Sequence, residues 1–260
     1  MEKLSRRSAI ALFGAAAGTA LSSSLLLRTV FGSQDRQPSE ANPQFPWPYE
    51  KLNPDVIAER AYHDYYKGHC MYGTFASIIG ELADKKGEPY RSFPMMMMKY
   101  GAGGVTGWAS LCGALNGAAA AIAMFVENPE ALINELYGWH ERTALPDFRP
   151  KNPKFEIVKS TAGSVLCHAS VSNWCEVAKV KSFSKERAER CAWIAASIAR
   201  FTTELLNAHF AGTFKAAFPI PERVKTCRGC HDQGGMLENS RGKMDCNSCH
   251  PKLGPKHPKI

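Results

Sequence analysis

Apolar positions in this chain recur mostly at three- and four-residue steps, the period of helices that bury one face. From Asp55 to about Lys85 the series Val56, Ile57, Ala61, Tyr62, Tyr65, Tyr66, Cys70, Phe75, Ile78, Ile79 and Leu82 keeps that step, between Pro54 and Gly87. The pattern predicts one helix, which if continuous places His63 and Cys70, seven apart, on the same face. Phe93 to Phe125 predicts a short helix at Met95–Met98, a glycine turn, and a buried Ala-rich helix from about Thr106 to Val126. Consecutive residues point in different directions round a helix, so the four methionines read as core filling rather than as iron ligands. A further helix is predicted from Pro129 to about Arg142. Gly163 to Ala178 carries Cys167, His168, Trp174 and Cys175. A long helix from Lys185 to about Ala211 holds Cys191, Ile194, Ile198, Phe201, Leu205 and His209. Strand-like alternation is scarce, so the expected class is mainly α.

The two ends of the chain read differently. Ser5-Arg6-Arg7-Ser8 precedes an apolar run from Ala9 to Leu27 and resembles a twin-arginine export signal. A run of that length just spans a bilayer, so a membrane anchor is the alternative. Small and hydroxyl residues between Gly14 and Ser24 favour the signal, cleaved or not, which makes the periplasm the expected location and leaves membrane contact only to an uncleaved signal. Residues 33 to 54 are polar and proline-rich, an expected extended linker. The reading divides the chain into a signal (1–32), a linker (33–54), a helical cysteine-bearing domain (55–216) and a short, irregular tail (217–260).

That tail carries the clearest chemistry. Cys227-Arg228-Gly229-Cys230-His231 and Cys246-Asn247-Ser248-Cys249-His250 are both C-x-x-C-H units, the form of covalent c-type haem attachment. Two thiols three positions apart reach the two vinyl groups of one porphyrin, and the next imidazole falls beneath its iron. Two haems c are therefore expected, with Cys227, Cys230, Cys246 and Cys249 as covalent anchors and His231 and His250 as proximal iron ligands. The cysteine spacing alone also fits a zinc ribbon. The histidine directly after each pair, together with an export signal, argues for haem.

Five thiols remain: Cys70, Cys112, Cys167, Cys175 and Cys191. Their scattered spacing leaves open an iron–sulfur cluster or a set of buried thiols with a disulfide. The export route bears on this, because twin-arginine signals carry folded proteins and clusters are assembled before export, whereas covalent haem is added afterwards. Charge adds less. The chain carries a formal +8, which falls to +5 without residues 1–32, and residues 223–260 hold eight Lys or Arg against three Asp or Glu. An exported chain has little access to nucleic acid, so the basic tail is either solvated or faces haem propionates and acidic redox partners.

Leu111-Cys112-Gly113-Ala114-Leu115-Asn116-Gly117, with Cys70 before it and Cys167 and Cys191 after it, resembles the redox-associated family named for a Cys, a G-C-A-x-x-G element and two later Cys. One departure is visible: the order here is Cys112-Gly113, not Gly-Cys. That domain followed by two C-x-x-C-H units resembles the split-Soret cytochromes c of anaerobic bacteria, over roughly residues 55 to 260. The resemblance implies a helical, homodimeric, periplasmic electron carrier with two close bis-His haems and an iron–sulfur centre, read as 2Fe-2S. Cys70, Cys112, Cys167 and Cys191 match the family's four positions. Cys175 is extra and could replace one of them.

Bis-His haems need distal ligands. His209 ends an apolar helix just before the tail, which makes it the best local candidate, and His63 and His69 come next. His257 lies too close to His250 to wrap onto the far face of the same haem, so it would serve the neighbouring haem or a partner subunit. With both axial positions filled, outer-sphere electron transfer to a periplasmic redox partner is expected rather than catalysis. A haem- or cluster-based reductase acting on a small molecule is the alternative. The sequence offers no acid–base or nucleophilic constellation for it.

Overall fold

The computed structural model describes residues 44–251 and residue 257, and helix dominates them. Helix α1 (Pro54–Lys86) begins where the Asn53 side chain accepts the Asp55 and Val56 N–H groups at 3.0 and 3.3 Å, with Pro54 in the first turn, and it ends at Gly87. It is not continuous. Gly68 (φ −156°, ψ 15°) and His69 (φ 66°, ψ −162°) leave the helical region and kink the helix. His69 occupies a region that costs a non-glycine residue on the order of 1–3 kcal/mol. Apolar periodicity resumes beyond the kink, so the break leaves no mark in the pattern. The expectation of a shared face fails in consequence: Cys70 is buried and His63 is exposed.

Helix α1 packs along helix α5 (Lys185–Phe210), whose first turn is capped by Ser184 Oγ accepting the Arg187 N–H at 3.1 Å. Helix α2 (Gly113–Phe125) crosses both. Phe75, Ile78, Leu115, Ile122 and Ile198 are fully buried where these three meet, each contributing about 2 kcal/mol by removal from water. Within the core the Glu189 carboxylate accepts the Tyr62 hydroxyl, the Trp193 indole N–H and the Lys154 N–H, each at 2.9 Å, and also the Tyr66 hydroxyl. Those four donors offset the cost of burying the charge and tie α1 to α5. Helix α3 (Glu130–Arg142) packs on α5, and a minimal antiparallel pair, β1 (Ala144–Leu145) with β2 (Ser160–Thr161), leads to helix α4 (Cys167–Ala178).

Helix α2 starts at Gly113 rather than near Thr106. Gly103, Gly104, Val105, Thr106, Gly107 and Ala109 all have positive φ, which a right-handed helix excludes. The methionine run forms a 3-10 helix (Met95–Gly101) in which Met98 is buried while Met96 and Met97 are exposed, so only part of it fills the core.

The signal reading of residues 1–32, and the linker before residue 44, lie outside the described residues. From residue 44 the stretch carries no helix or strand up to Pro54, yet it is pinned to the body. Trp47 and Leu52 are buried, and the Trp47 N–H donates to the Met124 carbonyl at 2.8 Å. Asn207 of α5 accepts the Tyr49 hydroxyl at 2.9 Å and the Leu52 N–H at 3.2 Å, and it donates to the Leu52 carbonyl at 2.8 Å. Average polarity conceals such single anchors. Asn207→Ala should lower stability by about 2 kcal/mol, because it leaves partly buried backbone groups unpaired. Urea unfolding checks this, and an unchanged midpoint would contradict it.

Among the described residues the tail has helix α6 (Glu222–His231) and one 3-10 turn at Cys246–Ser248, and is otherwise irregular. It attaches to α3: the Glu135 carboxylate accepts the Ala217 and Phe218 N–H groups at 2.9 Å each, and Lys243 pairs with Glu130 at 2.5 Å. No helix among the described residues is long and apolar enough to cross a membrane.

Candidate functional site

Four elements bring the cysteines of the helical body together. Cys70 directly follows the kink in α1. Cys112 is the N-cap of α2. Cys167 opens α4, and Cys191 lies in the first half of α5. An antiparallel bridge, Leu111 to Leu166, aligns two of them: the Cys112 N–H donates to Val165 at 2.9 Å and the Cys167 N–H donates to Ser110 at 2.7 Å.

Glycines permit the approach. A Cβ on Gly113 would collide with the Gly101 carbonyl oxygen and lie 3.1 Å from Cys70 Cβ. One on Gly117 would lie 2.5 Å from the Met71 carbonyl oxygen. Four residues apart, the two glycines share a face of α2 and seat it against the α1 backbone beside Cys70. This is the physical reason for the C-G-A-x-x-G spacing. Across the loop, a Cβ on Gly104 would lie 2.9 Å from Cys167 Cβ.

The thiols feel one another. The nearness of Cys70 and Cys191 lowers the Cys191 pKa and raises that of Cys70. The Arg190 and Arg187 guanidinium groups act with it on Cys191, while burial adds to the rise at Cys70. Burial pushes Cys112 up, opposed by the nearby backbone of Leu115 and Ala114, and pushes Cys167 up to about 12 with help from Cys112 and Cys191. Cys175, two turns along α4, is half-buried and interacts with the same arginines and with Cys191. The nine cysteines are all free thiols, so no disulfide joins this group. Among the described residues no three His, Cys, Asp or Glu side chains converge on the position of a single ion.

The arginines were not singled out from sequence. Arg187 Nη1 lies 4.0 Å from Cys191 Sγ. Arg190 is 2% exposed, donates to Ser170 Oγ at 2.9 Å and sits 5.9 Å from the centroid of Trp174. The available signal was Arg187-Ala188-Glu189-Arg190-Cys191, two cations one and four residues before a cysteine that opens an apolar run.

In the tail, Cys227, Cys230 and His231 occupy the last two turns of α6. Cys246, Cys249 and His250 wrap a tight turn in which the His250 N–H donates to the Cys246 carbonyl at 2.8 Å. Cys227 and Cys246 are near enough to act on each other, so the two units lie side by side. The His231 Nδ1 pairs with Asn239 Oδ1 at 2.7 Å, which leaves Nε2 as the nitrogen turned to an iron. Val224 is the buried apolar residue of this segment, while Met236, Leu237 and Met244 are exposed. A tail without its own core fits one built around a large apolar prosthetic group.

The candidate distal histidines separate. The His257 ring lies 6.0 Å from that of His231, with an 18° angle between planes. His209, at the last turn of α5, packs edge-on to Phe210, and His63 lies 3.4 Å from the Glu59 carboxylate. Among the described residues it is His257 whose ring meets a motif histidine.

The profile of the C_GCAxxG_C_C redox-active protein family matches residues 72–205. The match takes in Cys112, Cys167, Cys175 and Cys191 and begins two residues after Cys70. A relative named split-Soret cytochrome c, from Desulfovibrio desulfuricans, is 40% identical over 217 residues, which are 79% of this chain and 78% of the relative. A solved structure described as a novel iron centre in the split-Soret cytochrome c from Desulfovibrio desulfuricans ATCC 27774 aligns with a TM-score of 0.74 at 39% identity, over 78% of this chain and 90% of that one.

Proposed function

The chain belongs to the split-Soret cytochrome c family, and from that premise we propose that it is a periplasmic carrier passing electrons between two c-type haems and an iron–sulfur centre. Membership carries redox electron transfer and haem c as the family's chemistry. The observation that supports the haem sites in this chain is the pair of C-x-x-C-H turns, side by side, on a segment lacking a core of its own. Cys227 with Cys230, and Cys246 with Cys249, would hold the porphyrins. His231 and His250 would bind the irons, Asn239 fixing the tautomer of His231. His257 is the first choice for a distal ligand beside His231, followed by His209 and His63. Bound there, haem supplies reversible one-electron exchange.

Cys70, Cys112, Cys167 and Cys191 are the proposed cluster ligands, with Cys175 as the substitute. The 2Fe-2S reading comes from the resemblance to the family, whose four cysteine positions these residues match. The relative's novel iron centre points the same way. The buried Arg190 and the half-exposed Arg187 beside the thiols suit the net negative charge of such a centre. Residues 55–216 would then be the cluster body and 217–260 the dihaem segment. Export by the twin-arginine route, a homodimer and a periplasmic redox protein as partner complete the proposal, with a role in anaerobic respiration.

Filled axial positions exclude small ligands, so carbon monoxide or cyanide should fail to bind rapidly to most of the haem in the purified protein. Fast binding by a majority of the haem would instead support the reductase alternative. Non-haem iron quantified beside haem tests the second centre, and a protein holding haem iron alone would overturn it.

A further inference from the structure

Arg190 is a full cation set among thiols. Its side chain crosses from α5 to α4, is 2% exposed, and donates to one neutral acceptor, Ser170 Oγ at 2.9 Å, while the Trp174 ring lies 5.9 Å away. Its Nε has no hydrogen-bond partner, and among the described residues it forms no salt bridge with a carboxylate. His140 of α3 feels the same guanidinium, but burial first and that charge second push its pKa down to about 3, so it is neutral and supplies no counter-charge. The groups that can balance the charge are the thiols: Arg190 directly precedes Cys191 on α5, and its guanidinium is bonded to Ser170, three residues beyond Cys167 on α4.

A buried, unbalanced guanidinium is expensive, and a protein tolerates it where an anion completes the site. Thiolate ligands of an iron centre are such an anion, and reduction by one electron adds one more negative charge to them. A fixed cation at short range in a low-dielectric setting stabilises the reduced state more than the oxidised one. Arg187, also beside Cys191, is half-exposed, so water screens it and its influence is smaller.

We propose that Arg190 is the charge-compensating positioning residue of the thiol-held iron centre, raising its reduction potential and stabilising its thiolate ligands. This rests on the reading of Cys70, Cys112, Cys167 and Cys191 as ligands of non-haem iron.

The test uses the full haem-loaded chain with Arg190→Met, Arg190→Gln and Arg187→Met. Non-haem iron is counted, its midpoint potential is followed by EPR during a dithionite titration, and the haem midpoints are read optically in the same sample. In Arg190→Met the iron-centre midpoint moves to more negative potential, iron is lost to a chelator several-fold faster than from wild type, and the haem midpoints stay in place. Arg187→Met moves the iron-centre midpoint in the same direction by less. If the methionine variant does not accumulate, Arg190→Gln, which keeps a donor for Ser170, carries the same expectation. An unchanged iron-centre midpoint in an Arg190 variant that retains its iron overturns the inference, as does an equal shift in the haem midpoints, which would mark a general structural effect. Wild-type protein without non-haem iron overturns the ligand reading itself, and this inference with it.

Discussion

Alanine at both Cys246 and Cys249 is expected to lower covalently bound haem from two per chain to one, with the Soret absorbance per protein falling by about half. Each unit offers one porphyrin two thioether positions and one proximal imidazole, so removing both thiols of one unit leaves the other chemically intact. The pyridine haemochrome assay after acid–acetone extraction measures this. Alanine at Cys227 and Cys230 should give the same count, with an added effect from the nearness of Cys227 and Cys246. A colourless wild-type protein containing zinc would remove the basis of the prediction. A variant still carrying two covalent haems would show that the two units are not separate attachment sites.

The second large effect is expected at a glycine. In Gly113→Ala the new methyl group meets the Gly101 carbonyl oxygen, a backbone atom that cannot rotate aside, and presses on Cys70 Cβ at 3.1 Å. Overpacking of this kind costs about 3 kcal/mol, the upper part of its usual range, because relief requires moving α2 away from α1. The same movement separates Cys70 from Cys112, so non-haem iron should fall along with the urea midpoint while haem content stays near wild type. Normal stability and iron content in Gly113→Ala would show that the α1–α2 contact is looser than the structure places it.

Much of this protein could be read along the chain. Helices α1, α3 and α5 follow from apolar spacing between Asn53 and Gly87, around Leu132 and Leu136, and beyond Ser184, since a helix is a local object and its caps are local too. Where the pattern misled, a backbone event carried no side-chain signature. Gly68 and His69 kink α1 without disturbing the apolar period, and the left-handed turns at Val105, Thr106 and Ala109 use residues that ordinarily avoid them. Tyr49 and Leu52 were hidden in a proline-rich stretch because pinning depends on Asn207, more than 150 residues away.

Sequence by itself determined the mainly helical class, the two C-x-x-C-H units and the resemblance that led to the family. Each depends on residue type at short separation, where covalent geometry dictates what can form. Tertiary structure alone decided that Cys70, Cys112, Cys167 and Cys191, spread over 122 residues of chain, lie near one another, three of them buried. It also decided that Gly113 and Gly117 let α2 approach α1 beside Cys70, that Arg190 lies beside Cys191 with its guanidinium on Ser170, and that His257 rather than His209 or His63 meets His231. Those contacts join residues with no local relation to one another. What sets them is which helix faces can be buried together, and that is a property of the whole packed core.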